Sequence, residues 1–213
     1  PYEGGHRVPF FLYCPQQKLS RGKDISDLAS YVDFMPTVLD LCNIETPHER
    51  CFHGESLIPL INDESDHDWS DRTTVCDTQR VAHPIKWRRS SVMQDSWRLI
   101  NGKELYNLQF DPGQRKDVSN KYPDRVISLR KVYDQWWKLI SPQMDNEIPI
   151  SIGNIKRQTI TTHDLRNDTC DVAWNQGQVR AGHICGGYWE IDIKVDGTYK
   201  IELRRWPEET DYK

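Results

Sequence analysis

The sequence predicts an α/β protein, of α+β form in this chain: a small antiparallel sheet, one long packing helix and a β-rich appendage. Three patterns predict it. Four short β-like runs lie between Thr74 and Leu108, with Asn101-Gly102 as a hairpin turn. Tyr122, Val126, Leu129, Tyr133, Trp136 and Ile140 recur at spacings of four and three, which is one face of an amphipathic helix. Trp189, Ile191, Ile193 and Val195 alternate with Glu190, Asp192 and Lys194, the pattern of a half-buried strand.

The chain opens on the polar stretch Tyr2-Glu3-Gly4-Gly5-His6-Arg7. A glycine pair admits positive φ or close approach of another group. Val8 to Tyr13 reads as a buried strand, bounded by Pro9 and Pro15. A polar loop feeding such a strand can hold groups at a pocket, and a tight turn before a core strand is the plainer reading. Gln16 to Ser26 is loop-like, and Leu28 to Val32 is expected as a short strand. Asp33 is placed to cap a helix with Pro36 in its first turn, and Met35, Val38, Leu39, Leu41 and Cys42 can supply its buried face. Ser56 to Ile61 is short and helical or extended; Asn62 to Asp71 is acidic and expected to be exposed.

The sheet runs are Thr74 to Arg80, Ser91 to Gln94, Trp97 to Asn101 and Glu104 to Leu108. The long helix has Pro123 and Asp124 in its first turn, Lys138 near its end and Pro142 to stop it. Residues 1–142 are expected to form one unit, 143–157 a linker and 158–213 a partial β-sandwich-like appendage. Its strands are read over Gln158 to Thr162, Tyr188 to Val195 and Thr198 to Trp206, with Asp196-Gly197 as the turn between the last two.

Of 213 residues, 37% are hydrophobic and 28% charged, enough for a core under a polar surface. A net charge of -4 with scattered basic residues argues against a nucleic-acid binder. No apolar run approaches a membrane span. Pro1 is not a natural start, so the chain is expected to be an internal piece of a longer protein, the remainder of which is a partner. None of the six cysteines has zinc-site spacing. Disulfides and buried thiols are both open; Cys170 and Cys185, flanking a polar loop, are the favoured pair. Asn167-Asp168-Thr169 is the only glycosylation sequon. Together these favour a secreted, periplasmic or lysosomal location.

Four blocks carry a family resemblance. Glu3-Gly4-Gly5-His6-Arg7-Val8-Pro9 resembles a loop of the sulfatases, in the alkaline-phosphatase-like superfamily. Asp33-Phe34-Met35-Pro36-Thr37-Val38-Leu39-Asp40-Leu41 resembles the family's next helix. Gly54-Glu55-Ser56-Leu57-Ile58-Pro59-Leu60 resembles its turn, and Glu104-Leu105-Tyr106-Asn107-Leu108 with Asp111-Pro112-Gly113-Gln114 its late hairpin. The stretches His163-Asp164, Trp174-Asn175-Gln176, Gly187-Tyr188-Trp189 and Arg204 to Glu208 resemble a β-rich appendage of some sulfatases. The resemblance implies the C-terminal subdomain of an alkaline-phosphatase-like fold and a sulfuric ester hydrolase acting on a sulfated small molecule or carbohydrate.

The resemblance also implies a formylglycine nucleophile, made in a Cys/Ser-x-Pro-x-Arg motif, and a calcium ion held by Asp and Asn side chains. Both are expected upstream of Pro1, so no catalytic or metal-ligating residue is assigned in this chain. Cys76-Asp77-Thr78-Gln79-Arg80 is a near miss, with Thr78 where proline belongs. Candidates for the substrate pocket are Glu3, Gly4, Gly5 and His6, with Gln79, Arg80, His83 and Trp87 on a loop that resembles the cleft rim. Arginine can bind sulfate bidentately and tryptophan can stack on a ring. A salt bridge for Arg80 and core packing for Trp87 are the structural readings. Two rivals are a carbohydrate-binding or interaction module over residues 150–213, carried by Trp174, Tyr188, Trp189 and Trp206, and a phosphate or phosphonate ester hydrolase of the same superfamily.

Overall fold

The computed structural model describes residues 2–17, 19, 22–45, 52–63, 68–79, 84–144, 146, 148–167 and 172–210. It divides into two units, Pro1–Thr78 with Lys86–Leu139, and Gln79–Ile85 with Ile140–Lys213.

The first unit starts with a one-turn helix α1 (Glu3–His6) and carries two more short helices, α2 (Phe34–Leu41) and α3 (Ile58–Ile61). Its centre is an antiparallel meander of four strands, β1 (Thr73–Asp77), β2 (Ser90–Gln94), β3 (Trp97–Ile100) and β4 (Glu104–Asn107), in that spatial order. The long helix α4 (Pro123–Met144) follows. Both turn residues Asn101 and Gly102 have positive φ, as the tight β3–β4 turn demands.

The strand register sorts side chains onto two faces. Val75, Val92, Leu99 and Leu105 lie opposite one another in a row across the sheet. Val126, Leu129 and Tyr133 of α4 close onto that row, with Trp136 and Trp137 packed half-buried beside them. The next row, Thr74, Met93, Arg98 and Tyr106, points to the other face. Met93, Arg98 and Tyr106 are all buried there. The expected packing of the helix on the sheet is therefore present, but Pro142 does not stop it. Its missing amide removes one bond close to the helix end, and α4 runs on to Met144.

Several expected elements take another form. Val8 to Tyr13 forms no strand, and Val8, Phe11 and Tyr13 are largely exposed; among the described residues no strand pairs with the run to complete a ladder. Leu28 to Val32 is not a strand either, since Tyr31–Asp33 is a 3₁₀ turn. Asp33 sits at the start of α2 but makes no cap bond to it. Its carboxylate instead accepts from Ser30 N (2.7 Å) and Glu55 N (3.0 Å) and pairs with Arg72, all at a fully buried position. Thr37 is buried on α2, whereas Met35 and Cys42 are exposed. Asn62 to Asp71 is not uniformly exposed: Trp69 is buried, and its indole N–H donates to Leu28 O at 2.9 Å. Gly54 meets the backbone of Val32 and Asp33 so closely that a Cβ would lie 2.2 Å from Val32 O.

The second unit has β5 (Ile150–Ile152), α5 (Gln176–Arg180) and β6 (Ile191–Ile193). β5 falls within the stretch read as a linker and pairs with β6 in parallel. The expected hairpin across Asp196-Gly197 does not form. Tyr199 folds back over Gly153 and donates to Val195 O, which takes the chain away from β6. Gln158 to Thr162 and Thr198 to Trp206 contain no strand. The alternation over 189–195 is inverted: Glu190 and Asp192 are half-buried, held by Arg166 and Lys194, while Trp189, Ile191, Ile193 and Val195 are exposed.

The packing generates a first set of expectations for chemical denaturation. Leu129→Ala costs about 2–5 kcal/mol, the range for emptying a sealed aliphatic site, and Lys131→Ala on the exposed face stays within about 0.5 kcal/mol. Tyr133→Phe costs about 1–3 kcal/mol because it strands the half-buried partners of the hydroxyl. A Leu129→Ala midpoint equal to the parent's would remove the packing claim.

Candidate functional site

The second face of the sheet, carrying Arg98 and Tyr106, receives the N-terminal turn. Arg98 projects from β3 into it, only 6% exposed. An arginine buried in a sheet must be paired. Its Nε donates to Glu3 Oε2 at 3.0 Å, and its Nη1 donates to the carbonyls of Asp95 (2.6 Å) and Trp97 (2.9 Å). Glu3 Oε2 also meets His6 Nε2 at 3.2 Å, and Glu3 N donates to Gln114 Oε1 at 2.7 Å. Tyr2 lies edge-on to Tyr106, ring centroids 6.1 Å apart. Both phenols donate to Glu104 Oε2, at 2.7 and 2.8 Å. One short turn is thus fastened to the meander by an ion pair, a backbone bond and a shared carboxylate.

Charges here are tuned by that geometry. Burial alone would raise the Glu3 carboxyl, but Arg98 and His6 outweigh it and hold it below its ordinary value. Burial lowers His6; Glu3 opposes that, and Arg98 adds to it, so the imidazole sits below its ordinary 6.5. The Tyr106 phenol is pushed up, first by burial and then by its bond to Glu104. His6 Nδ1 and Gln114 Nε2 are buried without a partner. Gly4 and Gly5 are exposed and would meet nothing with an added Cβ; neither has positive φ, and the pair makes no close approach among the described residues.

The other candidates are placed separately. Gln79 pins its own loop, donating to Ile85 O at 2.8 Å and accepting from Ile85 N at 2.7 Å. Arg80 and His83 lie outside the described residues. Trp87 stacks on Tyr133, centroids 3.7 Å apart, and adopts φ 68°. Its N–H donates to the Tyr133 hydroxyl at 2.9 Å, and its ring abuts Gly102. Cys76 is a free, half-buried thiol on β1. Cys185 is disulfide-bonded, and Cys170 lies outside the described residues. Asn167 Nδ2 donates to Gly186 O, and the rest of its sequon is not described. His163 and Asp164 form a 3₁₀ turn whose imidazole meets Trp174 O at 2.7 Å.

Among the described residues no three His, Cys, Asp or Glu side chains gather as a metal site. The resemblance places the ligands of the implied calcium outside this chain, and the described residues gather no carboxylate set that would hold it. Among the described residues no helix is long and apolar enough to cross a membrane. Sequence reasoning missed Arg98 and placed Glu104, Tyr106 and Gln114 only in the late hairpin, not at this site. The signal for Arg98 was a lone cation between Trp97 and Leu99 in a short apolar strand.

Comparisons with known proteins give the same family over the same span. A family model described as "N-sulphoglucosamine sulphohydrolase, C-terminal" matches residues 1–139. An arylsulfatase of Clostridium perfringens is 32% identical over 139 residues, covering 62% of this chain and 28% of that protein. Arylsulfatase K of Gallus gallus is 26% identical over 218 residues, covering 96% of this chain and 37% of that protein. A solved chain in complex with D-glucosamine-2-N,6-O-disulfate has a TM-score of 0.39 at 22% identity, over 54% of this chain and 25% of that one; so slight a likeness carries no argument. The class these matches define is the sulfatases. Within it, this chain belongs to the N-sulphoglucosamine sulphohydrolase C-terminal family. It spans well under half the length of both relatives.

The Arg98–Glu3 pair and its histidine make stability depend on pH. Glu3 is depressed, so its contribution to stability is present above the unfolded carboxylate value and is lost as pH falls through the folded one. His6 is also depressed: the unfolded state binds its proton first, so acidification from about 6.5 already lowers stability. Arg98→Met removes the cation that outweighs burial. The Glu3 pKa then rises, and stability at neutral pH falls by roughly 3 kcal/mol, the lower end for a broken buried pair. Carboxyl titration by NMR and urea unfolding between pH 4 and 8 check both; a Glu3 carboxyl that titrates unchanged in Arg98→Met contradicts the account.

Proposed function

We propose that this chain is the supporting C-terminal part of a sulfuric ester hydrolase. The parent protein would cleave a sulfate ester with a formylglycine nucleophile and a calcium ion, and this chain supplies neither. Its role is to brace the Glu3-Gly4-Gly5-His6 turn beside the sulfate pocket. The observation that carries this reading is the buried Arg98–Glu3 pair, which fixes the turn on a sheet that is itself held by α4. The family match over residues 1–139 and the named arylsulfatases support the reaction class. The substrate is read as a sulfated small molecule or carbohydrate, and the disulfide at Cys185 supports an oxidising location, secreted, periplasmic or lysosomal.

The test compares the 213-residue chain with the longer protein that contains it, using 4-nitrophenyl sulfate and 4-nitrophenyl phosphate. The longer protein is expected to turn over the sulfate and the chain alone to be inactive. Turnover by the chain, with contaminating enzyme excluded, would overturn the supporting role. Preference of the longer protein for the phosphate would move the reaction to the phosphoryl branch of the superfamily.

A further inference from the structure

The second unit contains a cleft of about 490 Å³ lined by Gln176, Arg180, Trp206, Pro207 and Thr210. That volume lies within the range of small-ligand sites. One wall is α5, begun by Asn175, whose Oδ1 accepts from Gln178 N at 2.9 Å. The other is the turn from Pro207 to Thr210, closed by Thr210 Oγ1 and N on Pro207 O at 2.7 and 3.1 Å. Arg205 ties the walls together. Its Nη2 donates to Val179 O at 2.8 Å, and its guanidinium lies 5.4 Å from the centroid of the Trp206 ring. That contact fixes the half-buried indole at the cleft.

Two polar side chains of the cleft are uncommitted. Arg180 and Gln176 are exposed, and neither side chain makes a hydrogen bond or ion pair within the described residues. The nearby carboxylate of Glu208 is already taken by Arg157 and approached by Arg204. The cleft therefore offers an aromatic wall, a free cation and a free amide side by side. An indole packs on the C–H face of a sugar ring, a guanidinium grips an anionic oxygen pair, and an amide bonds a hydroxyl.

We propose that this cleft binds a pyranose bearing an anionic substituent, sulfate or carboxylate, as a non-catalytic glycan subsite. Trp206 stacks on the ring, Arg180 holds the anionic group, and Gln176 bonds a neighbouring hydroxyl. The subsite does not depend on the hydrolase reading, and its test measures no turnover.

The 213-residue chain is titrated calorimetrically with a sulfated heparin disaccharide, an unsulfated uronic-acid disaccharide, diacetylchitobiose and inorganic sulfate. NMR of the indole N–H groups follows the same titrations. The sulfated or the uronic disaccharide binds at least tenfold tighter than diacetylchitobiose and than sulfate alone, and the Trp206 indole signal shifts. Which of the two anionic sugars binds tighter identifies the substituent. Arg180→Gln, at an exposed position, weakens that binding about tenfold or more. Trp206→Ala abolishes it, while Trp206→Phe, which keeps a ring wall, retains part. Equal binding by Arg180→Gln, or diacetylchitobiose or free sulfate binding as tightly as either anionic sugar, overturns the proposal.

Discussion

The first unit depends on one side chain, Tyr133. It is fully buried, and its hydroxyl is bonded twice, accepting from Trp87 N and donating to Asp77 Oδ2 at 2.8 Å. Its ring stacks on Trp87 and neighbours Trp136 and Trp137, at 5.3 and 5.9 Å between centroids. It thus joins the helix to the end of β1 and to the residue that enters β2. Trp87 has a left-handed backbone that a bulky residue adopts only under restraint. The stack and the N–H bond supply that restraint. Burial and the Asp77 carboxylate push the phenol's pKa well up, so the hydroxyl remains a donor at any physiological pH.

With α4 holding one side of the meander, the other side is free to carry polar chemistry. A strand alternates its side chains, so the same four residues of β3 that bury Leu99 against the helix also present Arg98 to the N-terminal turn. A two-faced sheet of this kind separates apolar packing from polar contacts. The apolar row sets the rigidity, and the row through Arg98 and Tyr106 positions Glu3, His6 and Tyr2.

The meander and the long helix were legible because their patterns are local. The period of 3.6 marks Val126, Leu129 and Tyr133, and the short β-like runs hold Leu99 and Leu105, without knowledge of the fold. The misread stretches fail for the same reason. Val8 to Tyr13 looks like a core strand by composition, but a strand also needs a neighbour. Residues 189–203 look like a hairpin, yet Tyr199 finds Gly153, more than forty positions back, and leaves the ladder unbuilt. The candidate site was half visible: the Glu3-Gly4-Gly5-His6 turn was singled out, and its anchors Arg98 and Gln114 were not. A partner separated by 95 or 111 residues leaves no periodic trace.

The same separation bears on how the chain assembles. Strands β2, β3 and β4 follow one another through short connections, whereas the Glu3–Arg98 bond closes a loop of 95 positions. Closing a long loop forfeits more chain entropy than forming a hairpin, and non-local contacts come late in folding. The turn is therefore expected to dock after the sheet and α4 have formed, and to be released before they open. Amide exchange should be faster at Gly5 and Arg7, bonded only within the turn, than at Leu99 and Leu105 in the ladder. The segment nearest the proposed sulfate pocket would then behave as a latch, able to lift while the scaffold beneath it stays folded.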